Sequence, residues 1–447
     1  MCGIICVYSS NNLNINIINN ISHRGHESYG ISYFIKKEIV NHYFKGTVDI
    51  DNVNSLENDI NKVNPKYYIG HTRYSTSGLK NNNGVQPFNG QIKTKEKYIL
   101  VHNGNIENRE GLKKHFGCDI GEHLTDTQIL MNIIDSIDKE SWYDILQIIL
   151  SKIVGVYCLI IGVKDDIYIL RDSYGVKPLC YCRNNETKSH CIISENNLIE
   201  EAGYKFVSNI KPGTIGLLNK SGYRVIYTKY SIFTPCLFEY IYFLSKKSIV
   251  DGVDVSRFRY ECGKLLSQND TFSSINNVVV CGIPETGVDG GIGYADNLNL
   301  NYQQVIKKNG KCRTFILKNN EERNNACKSK FVVSNMIKDK IVILIDDSLV
   351  RGNTLKNLIG QCRQKGCKEV HIRIVSPPVV SECYFGIDIP TKTELIAHNK
   401  SIEEISDFIN SDSLKYLDLD KIKMLLPYKN SCGSCFTGNY NMSLLDW

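Results

Sequence analysis

No apolar run in this 447-residue sequence approaches a membrane span: stretches such as residues 156–163 fall far short of the roughly 20 apolar residues that a bilayer-crossing helix needs. The start, Met-Cys-Gly-Ile, lacks the basic region and cleavage site of a secretory signal. Neither sign of charge dominates, since 53 Lys and Arg against 47 Asp and Glu leave a net charge of only +6. With no basic stripe interleaved with aromatics, this charge is poor evidence for nucleic acid, and no nucleic-acid partner is expected, while small anionic ligands remain open. An apolar content of 42% with 22% charged residues describes a soluble globular chain and excludes a disordered one. The 17 cysteines are scattered, and without a secretory signal they point to a reduced cytoplasmic protein, not a disulfide framework. The length exceeds one ordinary core, so two or more domains are expected.

The most informative stretch is residues 341–354. Five apolar residues, 341–345, follow the polar Lys338, Asp339 and Lys340 and read as a buried parallel strand. The strand runs into Asp346, Asp347 and Ser348, a loop through Leu349, Val350, Arg351, Gly352, Asn353 and Thr354, then a helical pattern through Leu355, Leu358 and Ile359. Such a strand, loop and helix aim the first amides of the helix at whatever sits above the sheet, which favours a phosphate. Asp346 and Asp347 would suit ribose hydroxyls or a magnesium ion. An ordinary strand ending in solvated acids explains the two acids but not the hydroxyl and glycine run behind them. Residues 346–354 resemble the phosphoribosyl-pyrophosphate (PRPP) loop of the type I phosphoribosyltransferases.

At the other end, Cys2 becomes chemically special if Met1 is removed. The new α-amine, with an ordinary pKa of about 7.7 to 8.0, could then take the proton of its own thiol directly or through water. Alone, a buried thiol in an N-terminal strand explains Met-Cys equally well. Its company changes the weighing: a strand over residues 4–8, His23-Arg24-Gly25 after a polar helix-like segment, and Ser28-Tyr29-Gly30-Ile31 come first. Residues 70–76 follow the apolar residues 67–69, His102-Asn103-Gly104-Asn105-Ile106 follow residues 99–101, and Leu124-Thr125-Asp126-Thr127 open a helix with periodic Ile129, Leu130, Ile133 and Ile134. This ordered set resembles the class II (N-terminal nucleophile) glutamine amidotransferase domain, and with it an αββα sandwich. The resemblance implies Cys2 as nucleophile, with the Asn103 amide and the Gly104 N–H as oxyanion donors. Arg73 would fork onto the glutamine α-carboxylate and Asp126 would accept from its ammonium. Taken singly, these three places read as a hairpin turn, a surface ion pair and a helix cap. Two further strands, residues 156–163 and 167–170, lead into Arg171-Asp172-Ser173-Tyr174-Gly175-Val176-Lys177-Pro178-Leu179, a turn of the same domain with lysine at 177 where arginine is usual. Ser194-Glu195 and Lys211-Pro212-Gly213 match its late landmarks.

Beyond Tyr230 the pattern changes. Residues 236–243 are similar to the junction of the glutamine–PRPP amidotransferases, and a helix is expected from about Ser256 to Ser267. A strand at residues 278–280 enters the tight loop of residues 282–287, and another strand is expected over residues 370–375. The resemblance implies that Thr286 joins Asp346 and Asp347 around Mg2+. It also implies that Asp346, Asp347, Ser348, Val350, Arg351, Gly352, Asn353 and Thr354, with Lys307 and Arg313 from a closing basic loop that includes Lys308 and Lys311, hold PRPP. A plain solvated loop explains those four cations about as well. Gly310, Asn353 and residues 244–248 depart from the family pattern. Cys432-Gly433-Ser434-Cys435 alone leaves zinc, redox chemistry or nothing open; in one branch of the family cysteines matching Cys236, Cys383, Cys432 and Cys435 hold a [4Fe-4S] cluster. The expected organisation is an amidotransferase domain over residues 2–230 and a phosphoribosyltransferase domain with a mainly parallel sheet over residues 231–447. The expected reaction takes PRPP, glutamine and water to 5-phosphoribosylamine, glutamate and pyrophosphate, the opening step of purine synthesis. Purine nucleotide inhibitors, no membrane contact and a homodimer or homotetramer go with it. Other class II amidotransferases share the front half but need no PRPP loop, and a catalytically weak PRPP-binding regulatory protein is the non-enzymatic alternative.

Overall fold

The computed structural model describes residues 1–74, 84–118, 121, 124–268, 270–272, 277–309, 331–389 and 391–440. Gly310, Lys311 and Arg313, and the end of the 70–76 motif at Ser75 and Thr76, lie outside the described residues.

The first half is built on two antiparallel sheets. One contains β1 (Gly3–Tyr8), β2 (Ser28–Ile35), β3 (Glu38–Lys45), β4 (Tyr67–Arg73), β9 (Cys180–Asn184), β10 (Ser189–Ile193) and β11 (Lys205–Asn209) in the order β11-β9-β10-β1-β4-β2-β3. The other contains β5 (Phe88–Gln91), β6 (Lys97–Ile106), β7 (Gly155–Val163), β8 (Asp166–Arg171), β12 (Thr214–Asn219) and β13 (Gly222–Thr228) in the order β13-β12-β8-β7-β6-β5. Because side chains alternate across a strand, each central strand feeds two cores. Ile4, Cys6 and Tyr8 of β1 meet Ile99 and Val101 of β6 between the sheets. Ile5 and Val7 face outward onto Val53, Leu56 and Ile60 of helix α1 (Ile50–Val63). On the far side, Tyr98 and Leu100 pack against Ile129, Leu130, Ile133 and Ile134 of α3 (Asp126–Ser136), with α2 (Arg109–Phe116) and α4 (Trp142–Lys152) beside it. The layers are therefore helix, sheet, sheet, helix, the expected sandwich.

In the second half, after the small pair β14 (Ile249–Val250) and β15 (Val253–Asp254), comes helix α5 (Val255–Ser267). A parallel sheet follows, with β16 (Val278–Gly282), β17 (Asn301–Tyr302), β20 (Ile341–Asp346), β21 (Glu369–Ile374) and β22 (Ser413–Tyr416) in the order β17-β16-β20-β21-β22. An antiparallel pair, β18 (Ile306–Lys308) and β19 (Phe331–Val333), forms its own sheet and packs Ile306, Phe331 and Val333 into the same core as Val342 and Leu344. The central strand β20 is apolar on both faces because helices cover both. Ile343 and Ile345 pack with Phe258 and Cys262 of α5 and Tyr294 of α6 (Gly287–Leu298). Val342 and Leu344 pack with Leu355, Leu358 and Ile359 of α7 (Asn353–Gln364). Among the described residues no helix is long and apolar enough to cross a membrane.

Candidate functional site

Where β1 begins and β4 ends, facing β6 of the other sheet, a half-open cleft is lined by Met1, Cys2, Arg73, Asn103, Gly104 and Asp126. All five sequence-predicted residues of the first site are thus brought together. Register explains it: β4 pairs with β1 through Gly3 and Thr72, which delivers Arg73 beside the N-terminal residues. The Cys2 thiol donates to the Tyr74 carbonyl at 3.6 Å, and Arg24 Nε donates to the Cys2 carbonyl at 3.0 Å. Burial pushes the Met1 amine down to about 5, so it is uncharged at neutral pH.

Asn103 and Gly104 lie inside β6, opposite Cys158 and Tyr157, and form no hairpin turn. The Asn103 Nδ2 is buried without a hydrogen-bond partner, an expensive arrangement unless a ligand oxygen completes it. Gly104 is required sterically, because a Cβ there would stand 1.9 Å from the Val156 carbonyl oxygen. Asp126 opens α3 just after Thr125, whose capping box with Gln128 fixes the first turn. Its carboxylate already accepts from the Ile106 N–H at 3.1 Å and pairs with Arg109, so an incoming ammonium would share it. Burial pushes the Asp126 carboxyl up, and Arg109 opposes that shift.

Several residues of the cleft escape sequence reasoning. Gln86 accepts from the His102 N–H at 2.7 Å and donates to Thr127 Oγ1 at 3.0 Å, closing the rear wall; nothing around the Gln86-Pro87 dipeptide signals this. Gly386 reaches the same cleft from the second half. Behind Cys2, Arg24 is fully buried between Glu195 and Glu239. The motifs containing Arg24 and Glu195 are visible in the sequence, but their pairing is not.

The second candidate site sits at the carboxyl end of the parallel sheet. Asp346 ends β20, and the Asp347 N–H donates to its Oδ1 at 3.0 Å. Asp347 is buried, accepts from Ser348 Oγ at 2.6 Å and from the Thr286 hydroxyl, and has its carboxyl pushed up chiefly by burial. Thr286, Asp346 and Asp347 therefore gather across β16 and β20. The chain then turns through Val350, whose carbonyl accepts from Ile396 N–H at 2.9 Å, and Arg351, paired with Glu394 at 2.8 Å. It enters α7 at Gly352, whose φ of +80° is one that side chains disfavour. Asn353 and Thr354 form the first helical turn, with their amides facing the loop side. Lys307 is exposed on β18, and Lys308 lies 3.7 Å from Glu285.

The four cysteines come together from three places. Cys236 bridges to Cys432, with the Leu237 N–H on the Cys432 carbonyl at 3.0 Å and the Cys432 N–H on the Pro235 carbonyl at 2.8 Å. The Cys435 carbonyl accepts from Val380 and Ser381 N–H groups at 2.9 and 3.1 Å, which brings in the segment of Cys383. Burial, then Cys236, Cys383 and Cys432 in that order, push the Cys435 thiol well up, so the other three are its electrostatic neighbours. Among the described residues no three His, Cys, Asp or Glu side chains converge on a point that would hold a single metal ion. Toward the second site, the Tyr74 ring, whose carbonyl takes the Cys2 thiol, meets Phe243 edge-on at 6.3 Å, and Phe243 meets the adjacent Tyr242, whose hydroxyl burial pushes up with Asp347 and Asp346 adding to it.

Residues 71–201 match the glutamine amidotransferase domain family. Over nearly the whole chain, the sequence is 33% identical to an amidophosphoribosyltransferase of Methanocaldococcus jannaschii, covering 98% of this chain and 97% of that one. It is 30% identical to the amidophosphoribosyltransferase of Bacillus subtilis, covering 95% and 90%. The solved structure of the glutamine PRPP amidotransferase from B. subtilis in complex with ADP and GMP superposes with a TM-score of 0.86 at 28% identity, covering 98% of this chain and 97% of that one.

Proposed function

The chain belongs to the amidophosphoribosyltransferase family, and from that premise we propose how its residues divide the reaction of glutamine, PRPP and water to 5-phosphoribosylamine, glutamate and pyrophosphate. The amidotransferase part covers residues 2–230 and the phosphoribosyltransferase part residues 231–447. With Met1 removed, the Cys2 α-amine takes the proton of its own thiol, and the thiolate attacks the glutamine side-chain carbonyl carbon. Asn103 Nδ2 and the Gly104 N–H receive the oxyanion, while Arg73 holds the α-carboxylate and Asp126 the ammonium. Collapse expels ammonia, which leaves with the proton from the α-amine, and a thioester remains on Cys2. Water then hydrolyses the thioester, releasing glutamate and the thiol.

The ammonia is handed on by way of the side where Tyr74, Phe243 and Tyr242 stand, because in bulk water it would be protonated and lose its nucleophilicity. At the second site it attacks C1 of PRPP as the bond to pyrophosphate breaks. Asp346 and Asp347 hold the ribose hydroxyls, and the α7 amides with Ser348, Val350, Arg351, Gly352, Asn353 and Thr354 hold the 5′-phosphate. Lys307, exposed on β18, and Arg313, assigned from the sequence resemblance alone, are the cations that would neutralise the departing pyrophosphate. Mg2+ fits the oxygen set of Thr286, Asp346 and Asp347, and when bound it neutralises pyrophosphate charge. A [4Fe-4S] cluster fits Cys236, Cys383, Cys432 and Cys435: the donors are four thiols, and a cluster spaces its ligands more widely than a single ion does. It would tie the tail to the junction, since the transfer moves no electron. Purine nucleotides, like those bound to the B. subtilis relative, are the expected inhibitors.

One observation carries the reading: a buried, unpartnered Asn103 amide beside the Cys2 thiol, in a cleft that Gly386 of the second half helps to line. Pyrophosphate release from PRPP, with glutamine or ammonia as nitrogen source, tests it. Cys2→Ala should lose the glutamine-dependent reaction and keep the ammonia-dependent one. Turnover with neither source in the wild type would favour a PRPP-binding regulator.

A further inference from the structure

Lys177 is completely buried, behind the first two residues of the chain. Its ammonium lies 2.8 Å from the Met1 thioether sulfur and 3.5 Å from Glu239 Oε1. A thioether is a poor acceptor, and Glu239 Oε1 is a buried carboxylate oxygen with no hydrogen bond. A desolvated ammonium held this loosely is costly, and one short movement would pair it properly. The other half of the arrangement is already complete: Glu239 Oε2 accepts from Arg24 at 3.0 Å, and Arg24 Nε donates to the Cys2 carbonyl at 3.0 Å. Glu239 therefore stands between two cations, each in contact with the N-terminal dipeptide. The unfinished half is the one that faces Met1, the residue whose departure the chemistry requires.

Resting on the reading of Cys2 as nucleophile, we propose that Lys177 is a positioning residue of the glutaminase half-reaction: when Met1 leaves, its ammonium closes on Glu239 Oε1, and the Lys177–Glu239–Arg24 bridge fixes residue 2 with its new α-amine against its own thiol. The charges around the N-terminus agree with that role. Beyond the large effect of burial, Lys177 and Arg24 oppose a protonated amine there while Cys2 and Glu239 favour one, and His71 also faces it. Lysine at 177 would reach Glu239 as a single point charge, whereas arginine, usual at this place in the family, could grip it through a fork.

The test compares Lys177→Met, which keeps the apolar stem and removes the charge, with Lys177→Arg. Removal of Met1 is checked by intact mass, and where it fails the same variants are made behind a cleavable leader that leaves Cys2 first. In Lys177→Met, kcat for glutamate release should fall at least about tenfold with KM for glutamine within about twofold of wild type. Ammonia-dependent pyrophosphate release should stay at the wild-type rate, and Lys177→Arg should return to within about threefold of wild-type glutaminase. An unchanged kcat in Lys177→Met, an equal fall in the ammonia-dependent rate, or an arginine variant as slow as the methionine one would overturn the proposal. Wild-type protein that released no glutamate from glutamine would instead bring down the nucleophile reading beneath it.

Discussion

Asn103 and Gly104 would ordinarily be spent on a hairpin turn. Here they lie mid-strand in β6, and the strand neighbour at Val156 leaves no room for any side chain at 104. The result is a backbone N–H and a side-chain amide fixed beside the Cys2 thiol before substrate arrives, the kind of preorganisation that stabilises a transient oxyanion. Asn103→Ala should lower kcat for glutamine hydrolysis by about 10² to 10³, with a much smaller change in KM. A comparable change in KM with kcat intact would make Asn103 a binding residue and leave the oxyanion role empty. The motif residues Cys2, Arg73, Asn103 and Asp126 were legible because each sits in a short signature. The partner that already occupies Asp126 was not, since Arg109 belongs to another helix and no local pattern connects the two. The same holds for Gln86, which earns its place only through the fold.

Among the elements, β20 and α7 were the plainest in sequence, because a strand buried on both faces is apolar throughout and a helix start needs its own chemistry. The strand ends one residue later than its apolar run, at Asp346, and α7 begins at Asn353. The short strands β9, β10 and β11 were less visible, and the placement of β1 between β10 and β4 could not be read at all. Such pairings join residues far apart in the chain, as with the Ile4 N–H on Ser194 Oγ at 3.0 Å across 190 positions, and do not follow from periodicity. Gly352 shows what a loop position demands. A Cβ there would meet Ile396, Phe408 and Ile409 at 3.1 to 3.3 Å on a backbone of φ +80°. Gly352→Ala should therefore cost roughly 1 to 3 kcal/mol of stability and raise KM for PRPP several-fold, with glutamine hydrolysis unchanged. Urea unfolding and PRPP saturation curves check both parts, and a variant with wild-type KM would remove the loop from the phosphate site.

Over the whole molecule, the tail is stitched to the junction through Cys236 and Cys432, and Cys435 is held by the segment that carries Cys383. Sequence spacing could pair Cys432 with Cys435 but could not bring in residues so distant; the family resemblance supplied those. Protein purified without oxygen should show a broad absorbance near 400 nm and about four iron and four sulfide per chain, lost together in Cys435→Ser. Zinc in place of iron, or neither metal, would mean the thiols serve another purpose.

In the proposed mechanism, nitrogen freed at Cys2 is consumed at the site of Asp346 and Asp347 without entering solvent. Glutamine labelled with 15N in its side-chain amide, turned over with PRPP in buffer holding excess unlabelled ammonium at a pH where little of it is free ammonia, tests this most directly. Phosphoribosylamine, trapped as it forms, should carry the 15N label almost completely. Label diluted to the isotopic composition of the buffer would contradict it.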